Sequence, residues 1–176
     1  MVNKIVRYYN NTTSGNRPML SESCKPNNYL KIDNYVSRSA QPSRGDLAWL
    51  KQQGITDVIN FRTMKVAGID FDEESAVKEL GMRYHNIPTQ TRKPQKEQVI
   101  TFLKTVDNII KRDGKVHIHC MAGADRTGMY SFLYKMAKGI GTIKENIDEW
   151  LRMGHHQKLF PDLIPWSKDF LKQLKK

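Results

Sequence analysis

Apolar residues alternate along the chain between short clusters and longer periodic stretches. Five short runs are rich in β-branched or aromatic residues, as strands are: Tyr29 to Ile32, Tyr35 to Ser37, Asp57 to Phe61, Met82 to Ile87 and Lys115 to His119. From residue 94 to residue 112 the apolar positions recur at i, i+3, i+4 and i+7, the spacing of an amphipathic helix. This alternation predicts a layered α/β protein in which the helical stripe packs against the sheet.

Capping residues and glycines predict where the other helices begin and end. Pro42-Ser43 starts a helix that Gly54 ends, and a short helix over 72–80 ends at Gly81. The run Thr142-Ile143-Lys144-Glu145 has the pattern of a capping box, in which the first and last side chains satisfy each other's backbone amides. A last helix is expected between residues 162 and 175.

The length and composition fit one folded domain. The chain has 176 residues, which is enough for one sizeable core but leaves little room for a second. Residues 1–28 are polar and contain glycine and asparagine, and we expect them to form a loosely ordered leader. Residues 29–176 are predicted to form a single domain.

The charge and the terminal sequence restrict the partners and the compartment. Twenty-nine Lys and Arg against eighteen Asp and Glu give a net charge of +11, which favours an anionic partner without choosing among phosphorylated substrates, nucleic acid and membrane surfaces. No run of eighteen apolar residues occurs, so no membrane span is expected, and the N-terminus lacks a secretory signal. We expect a cytoplasmic protein, or a secreted one if a signal peptide was removed.

The segment from residue 115 to residue 128 contains the candidate chemistry. A buried strand is expected to bring Cys120 to its end, and a tight loop follows. Arg126-Thr127 then begin a helix whose inward stripe would include Phe132, Leu133 and Met136. Such a loop directs backbone N–H groups toward one point at the positive end of the helix dipole, where a tetrahedral phosphate dianion fits. The same field favours the thiolate of Cys120. Gly123 permits a positive φ in mid-loop.

Several neighbouring residues are assigned roles around this loop. Arg126 supplies a planar fork for two phosphoryl oxygens, and the hydroxyl of Thr127 is placed to hydrogen-bond the sulfur. His119 is expected to orient the loop from the buried strand rather than to transfer protons. The remaining loop residues, whose backbone amides would face the phosphate, are Met121, Ala122, Gly123 and Ala124.

The segment H-C-x-x-G-x-D-R-T-G resembles the H-C-x5-R-[ST] signature of the cysteine-dependent protein tyrosine phosphatase superfamily. The stretches Tyr35 to Pro42 and Val58 to Arg62 are similar to its compact dual-specificity branch, and the likeness covers roughly residues 29 to 172. The resemblance implies a three-layer fold with a central, mostly parallel sheet of four to five strands and helices on both faces. It also implies two-step hydrolysis of phosphate monoesters through a cysteinyl-phosphate, with no metal or other cofactor. It further implies that Arg62, at the end of its strand, points toward the opening of the phosphate-binding loop.

The sequence departs from this family at the general acid. Relatives carry an aspartate about thirty residues before the cysteine, whereas this chain has no carboxylate between Glu79 and Glu97. Asp125 is our candidate, because myotubularin-like relatives carry aspartate in the same D-R-T position; a purely structural role for it is equally open. Asp70, Asp72 and Glu73 are weaker candidates.

The substrate is less determined than the reaction. A protein tyrosine or dual-specificity phosphatase is the first interpretation. An inositol phosphate or phosphoinositide phosphatase is the alternative, since Arg62, Arg92 and Lys93 would give the mouth a basic rim. From another class, a non-catalytic phosphate- or nucleic-acid-binding module is the alternative. A rhodanese-like sulfurtransferase also places cysteine at a helix-capping loop, but the spacing of Arg126 and the Thr-Gly after it fit phosphate hydrolysis better. A nucleic-acid partner is not expected, because no zinc finger, RNP pattern or basic helix occurs. A monomer is expected.

Overall fold

The computed structural model describes residues 24–63 and 71–174, and within them five strands and six helices. In chain order these elements are β1 (Leu30–Lys31), β2 (Val36–Ser39), α1 (Arg44–Gln52), β3 (Asp57–Asn60), α2 (Glu73–Glu79), β4 (Arg83–Asn86), α3 (Lys96–Lys111), β5 (Val116–His119), α4 (Asp125–Ala137), α5 (Ile143–Arg152) and α6 (Leu163–Leu174). The five predicted strands and the predicted helices are confirmed, with ends that differ by one or two residues.

The strands form one sheet in the order β1-β2-β5-β3-β4. β5 lies in the middle and pairs in parallel with β2 on one side and β3 on the other, and β4 pairs in parallel with β3. Only β1 is antiparallel, at the β2 edge. Because the carboxyl ends of parallel strands meet at one edge of a sheet, the residues after β2, β3 and β5 come together there.

Helices cover both faces of the sheet, as the resemblance implied. On one face α1 and α2 pack over a smaller core that includes Leu47, Leu50, Val58 and Val77. On the other face lies the larger core, which includes Ile59, Phe61, Phe102, Ile118 and Tyr130. Adjacent strand residues such as Val58 and Ile59 therefore face opposite cores, which is the alternation that a strand imposes.

Local capping explains where the helices begin. The Ser43 side chain accepts a hydrogen bond from the Asp46 amide and Asp46 bonds back to Ser43, so α1 starts with a capping box. The predicted box at Thr142 and Glu145 is confirmed at the start of α5. Asp72 caps α2 with its carboxylate. Each such cap contributes about 1 kcal/mol to stability.

Helix α4 is buried on nearly all sides, and here the sequence expectation was too narrow. The pattern suggested one inward stripe over Phe132, Leu133 and Met136. In the structure α3, α5 and α6 all contact α4, and its buried residues include Tyr130, Ser131 and Tyr134 as well. A helix that is covered by several neighbours shows little amphipathic pattern, so one stripe could not describe it.

The end of the predicted leader contacts the folded domain. The carbonyl of Asn27 accepts a hydrogen bond of 2.9 Å from the amide of Ala40, and the side chain of Asn28 bonds to the backbone of two distant loops. Residues 24–28 therefore pack with the domain rather than apart from it. Residues 1–23 lie outside the described part of the chain, so a loosely ordered leader there stays a prediction.

Among the described residues, no helix is both long and apolar enough to cross a membrane.

Candidate active site

The central strand delivers Cys120 to the carboxyl edge of the sheet. All residues of β5 are buried, and the thiol side chain that follows is only 3% exposed. The loop from Cys120 to Ala124 then leads directly into α4, whose N-terminal residue is Asp125. Ala124 precedes this helix and has no side chain that could bond to its first amides. The positive end of α4 is therefore presented to the loop.

The carbonyl groups of the loop all point outward. Each carbonyl oxygen between Cys120 and Asp125 accepts a hydrogen bond from outside the loop. The pairs are Gln41 N to Met121 O at 3.0 Å, Asn28 Nδ2 to Ala122 O at 3.1 Å, the Arg38 guanidinium to Gly123 O, and Trp150 Nε1 to Ala124 O at 3.0 Å. In a trans peptide the next N–H points opposite to the carbonyl, so the amides of residues 122 to 125 face the interior of the loop.

Gly123 is required by the close approach of the loop to β2. Its φ is +67°, as predicted, and an added Cβ would lie 2.5 Å from the amide nitrogen of Ala40. A side chain at this position would therefore be excluded by the left-handed backbone conformation and by the backbone after β2. The contact fixes the loop on the end of its neighbouring strand.

Arg38 is a site residue that the sequence analysis missed. Its side chain is fully buried, and one guanidinium nitrogen donates to the carbonyl of Gly123. Burial lowers the pKa of Arg38 to about 10, although the negative charges of Glu149 and Cys120 oppose this shift. Arg38 therefore remains charged at neutral pH and places a buried cation beside the thiol. The signal in the sequence was a run of polar residues, Ser37 to Ser39, in a strand that borders the central one.

Trp150 lies in the core, and its indole also donates a hydrogen bond to the loop. The ring is 1% exposed and crosses α4 at Gly128, where an added Cβ would lie only 2.0 Å from Nε1. The absence of a side chain at Gly128 lets the indole reach the carbonyl of Ala124. A buried hydrogen bond thereby connects helix α5 to the loop after β5.

The guanidinium of Arg126 is held by backbone carbonyls on the far side of the loop. Nη1 donates to the carbonyl of Phe61 at 3.1 Å, at the end of β3, and lies 3.5 Å from that of Thr89, in the loop after β4. The side chain is partly exposed. We call the space that the inward amides of residues 122 to 125 face the cradle. The contacts of Arg126 orient its planar fork and leave part of it open to this cradle, as phosphate binding requires.

A buried carboxylate connects the strand ends around the loop. Glu73 accepts hydrogen bonds of 2.6 Å from Gln41 and 2.6 Å from Asn60, and its Oε1 lies 2.9 Å from Nε2 of His119. Burial alone would raise the pKa of Glu73, but the charge of His119 and these contacts hold it below its ordinary value. Glu73 is thus an ionised support, which makes it unsuited to donate a proton.

Arg62 belongs to the same network and does not form part of an exposed rim. Its side chain is 6% exposed, and Nη1 donates to the side-chain oxygen of Gln41 at 2.7 Å. The backbone amide of Gln41 in turn bonds to the carbonyl of Met121 in the loop. Arg62 therefore reaches the cradle through Gln41, while Arg92 and Lys93 are exposed in the loop after β4.

Asp125 is the first residue of α4, next to Arg126, and its carboxylate faces the segment after α5. It accepts hydrogen bonds from His155 Nδ1 at 2.7 Å, from the His156 amide at 2.8 Å and from His156 Nδ1 at 2.9 Å. Burial alone would raise the pKa of Asp125, but the bonds from both histidines outweigh it and lower the pKa. Of the two roles left open for Asp125, this geometry favours the structural one.

The remaining predicted residues surround the thiol. The hydroxyl of Thr127 is fully buried and has no hydrogen-bond partner among the described residues. Met121 is 46% exposed and Ala122 is exposed, so these two form the outer side of the loop. His119 is buried, and its Nδ1 lies 3.4 Å from the carbonyl of Cys120. Asp70 lies outside the described residues.

The fold and the cradle define a class of protein, the phosphatases of the cysteine-dependent superfamily. The family model described as "DSP-PTPase phosphatase fused to NAD+ Kinase" matches residues 9–158, and the chain belongs to this family.

Individual relatives are more distant. The dual specificity protein phosphatase TpbA of Pseudomonas aeruginosa is 23% identical over 126 residues, which cover 71% of this chain and 54% of TpbA, so the chain spans about half the length of that relative. A DUF442 protein from Shewanella putrefaciens CN-32 superimposes with a TM-score of 0.73 at 21% identity, covering 90% of this chain and 98% of the other. The catalytic core of the PP-IP phosphatase Siw14 from S. cerevisiae gives a TM-score of 0.68 at 14% identity, covering 86% and 95%.

Proposed function

We propose that this chain hydrolyses phosphate monoesters through a cysteinyl-phosphate intermediate formed on Cys120. The observation that carries the proposal is the outward bonding of the four loop carbonyls, which turns the intervening amides toward one point above the thiol. An array of inward N–H groups at a helix N-terminus is a site for a tetrahedral dianion. Family membership supports the same reaction.

In the first step the Cys120 thiolate attacks phosphorus in line and the ester oxygen leaves. The sulfur–phosphorus bond forms as the phosphorus–oxygen bond breaks, and the leaving oxygen takes up a proton. The inward amides and the guanidinium of Arg126 stabilise the negative charge on the equatorial oxygens. The buried cation of Arg38 favours the thiolate form of the nucleophile before attack.

In the second step water attacks the same phosphorus and the sulfur leaves as the thiolate. The buried hydroxyl of Thr127 is assigned to this step, because it follows Arg126 in the first turn of α4 and has no partner among the described residues. A hydroxyl that donates to the sulfur as negative charge returns to it would lower the barrier to its departure. The amide cradle holds the phosphoryl group in both steps.

We propose a phosphorylated protein as the substrate class, with inositol phosphates as the alternative outcome of the test. TpbA is named a dual specificity protein phosphatase, which supports the first. Arg92 and Lys93 are exposed in the loop after β4, whose Thr89 carbonyl lies near Arg126, and together with the net charge of +11 they suit either kind of anion. Relative kcat/KM values for phosphotyrosine peptide, phosphoserine peptide, inositol hexakisphosphate and phosphoinositides would decide.

The decisive variant is Cys120→Ser. We expect it to keep the fold and to bind vanadate or phosphate, since the amides and Arg126 remain, and to lose hydrolysis. Single-turnover experiments with the unmodified chain should trap phosphate on Cys120. Substantial turnover by Cys120→Ser would contradict the covalent mechanism. If Cys120→Ser fails to fold, the same measurements are made on Cys120→Ala. Cys24→Ser, the chain's other cysteine, is the matched control.

A further inference from the structure

The proposed reaction leaves the source of the leaving-group proton open, and this inference rests on that proposed function. No carboxylate occurs between Glu79 and Glu97, where the loop after β4 would carry an acid. Glu73 and Asp125 are held ionised by their partners. A group that is ionised at neutral pH has no proton to give.

An imidazole contacts the first residue of α4, directly after the loop, instead. His156 bonds to Asp125 twice, through its backbone amide at 2.8 Å and through Nδ1 at 2.9 Å. An ionised carboxylate that faces Nδ1 fixes the proton on that nitrogen, so Nε2 is the atom that is free to exchange a proton with another group. The neighbouring His155 also contacts Asp125, but its side chain is fully buried.

The exposure of His156 suits proton transfer to a bound substrate. Its side chain is 52% exposed, whereas that of Asp125 is 13% exposed, so the imidazole lies on the solvent side of the carboxylate. The segment before it rests on the catalytic loop: an added Cβ at Gly154 would lie 3.8 Å from the Cβ of Ala124. Asn28 holds the two segments together through hydrogen bonds to the carbonyls of Ala122 and Met153.

We propose that His156 is the general acid of the first step and the general base of the second, positioned by Asp125. As the phosphorus–oxygen bond breaks, the imidazolium transfers its Nε2 proton to the leaving oxygen and becomes neutral. Nε2 then takes a proton from the water that attacks the cysteinyl-phosphate, which restores the imidazolium and yields inorganic phosphate. Asp125 stays ionised throughout and acts through His156 as a positioning residue.

The test is the dependence of hydrolysis on the leaving group. The variant His156→Asn keeps an amide donor where Nδ1 contacts Asp125 and removes the part of the ring that carries Nε2. For phenyl phosphate, whose leaving group needs a proton, we expect kcat/KM, which reports the first step, to fall by about 100-fold or more. For 2,4-dinitrophenyl phosphate, which leaves without one, kcat/KM should change by less than about threefold. The values of kcat are not compared, because the second step, common to both substrates, also uses His156.

The matched control is His85→Gln. His85 contacts Asp57 through Nε2 at 2.7 Å, the same kind of pair, but at the amino end of β3 and therefore away from the cradle. This variant should slow both substrates equally or not at all. Equal loss on both substrates in His156→Asn would overturn the assignment and leave His156 a support of the loop.

The two proposals fail differently. If the covalent mechanism is wrong, the unmodified chain will not form phosphate on Cys120 with either substrate. If only the acid is wrong, 2,4-dinitrophenyl phosphate and phenyl phosphate will both still be hydrolysed by His156→Asn in the ratio seen for the unmodified chain. Retained vanadate binding by His156→Asn shows that the cradle is intact in the variant.

Discussion

Replacing the buried arginine under the catalytic loop tests how the thiolate is stabilised. The variant Arg38→Met preserves much of the side-chain volume while it removes the bond to the Gly123 carbonyl and the cation that interacts with Cys120. A hydrogen bond to a charged group is worth about 1.5–3 kcal/mol, and about 1.4 kcal/mol corresponds to a factor of ten. We therefore expect kcat/KM to fall by about 10- to 100-fold.

The direct assay is the rate of alkylation by iodoacetate at neutral pH, because the thiolate is the reactive form. If Arg38 stabilises the thiolate, Arg38→Met should react more slowly than the unmodified chain. Arg38→Lys, which keeps the charge but not the fork, should fall between the two. Arg112→Met is the control, since Arg112 pairs with Asp57 at the amino end of the sheet. An unchanged alkylation rate in Arg38→Met would refute the reasoning.

Two further predictions concern the loop and the sheet. Gly123→Ala should lower both the melting temperature and phosphate affinity, because its φ is +67° and the new Cβ would meet Ala40; equal affinity by calorimetry would contradict this. Burial and the charge of His119 hold the pKa of His117 well below 6.5. The unfolded chain then binds more protons than the folded one below that pH, so stability should fall as pH drops from about 6.5 to 5, by up to about 1.4 kcal/mol per unit. Urea titrations should show that the free energy of unfolding depends less on pH in His117→Gln than in the unmodified chain. The same dependence in both proteins would exclude His117 as its source.

The sequence was sufficient for the elements that depend on local pattern. The strands, the helix starts at Ser43 and Thr142, and the positive φ of Gly123 each follow from a few adjacent residues. The hydrogen bonds to the outward carbonyls of the loop could not be predicted from the sequence, because tertiary packing brings in their donors. Asn28 lies 94 positions from Ala122, and Arg38 lies 85 positions from Gly123.

Asp125 illustrates the same limit for the chemistry. Its neighbour in sequence is Arg126, and the sequence left an acid role and a structural role equally open. In the folded chain its partners are His155 and His156, which are 30 and 31 positions away. A side chain at a helix N-terminus points according to what packs beside that terminus, and a motif does not contain this information.

The attachment of Trp150 to the Ala124 carbonyl gives the chain an intrinsic optical reporter of its catalytic loop. Of the other two tryptophans, Trp49 lies in α1 on the opposite face of the sheet and Trp166 lies in α6. Indole emission responds to the hydrogen bonding of its N–H group, so Trp150 fluorescence is sensitive to any shift of that carbonyl. A change in Trp150 emission on adding vanadate would therefore show that oxyanion binding shifts this carbonyl.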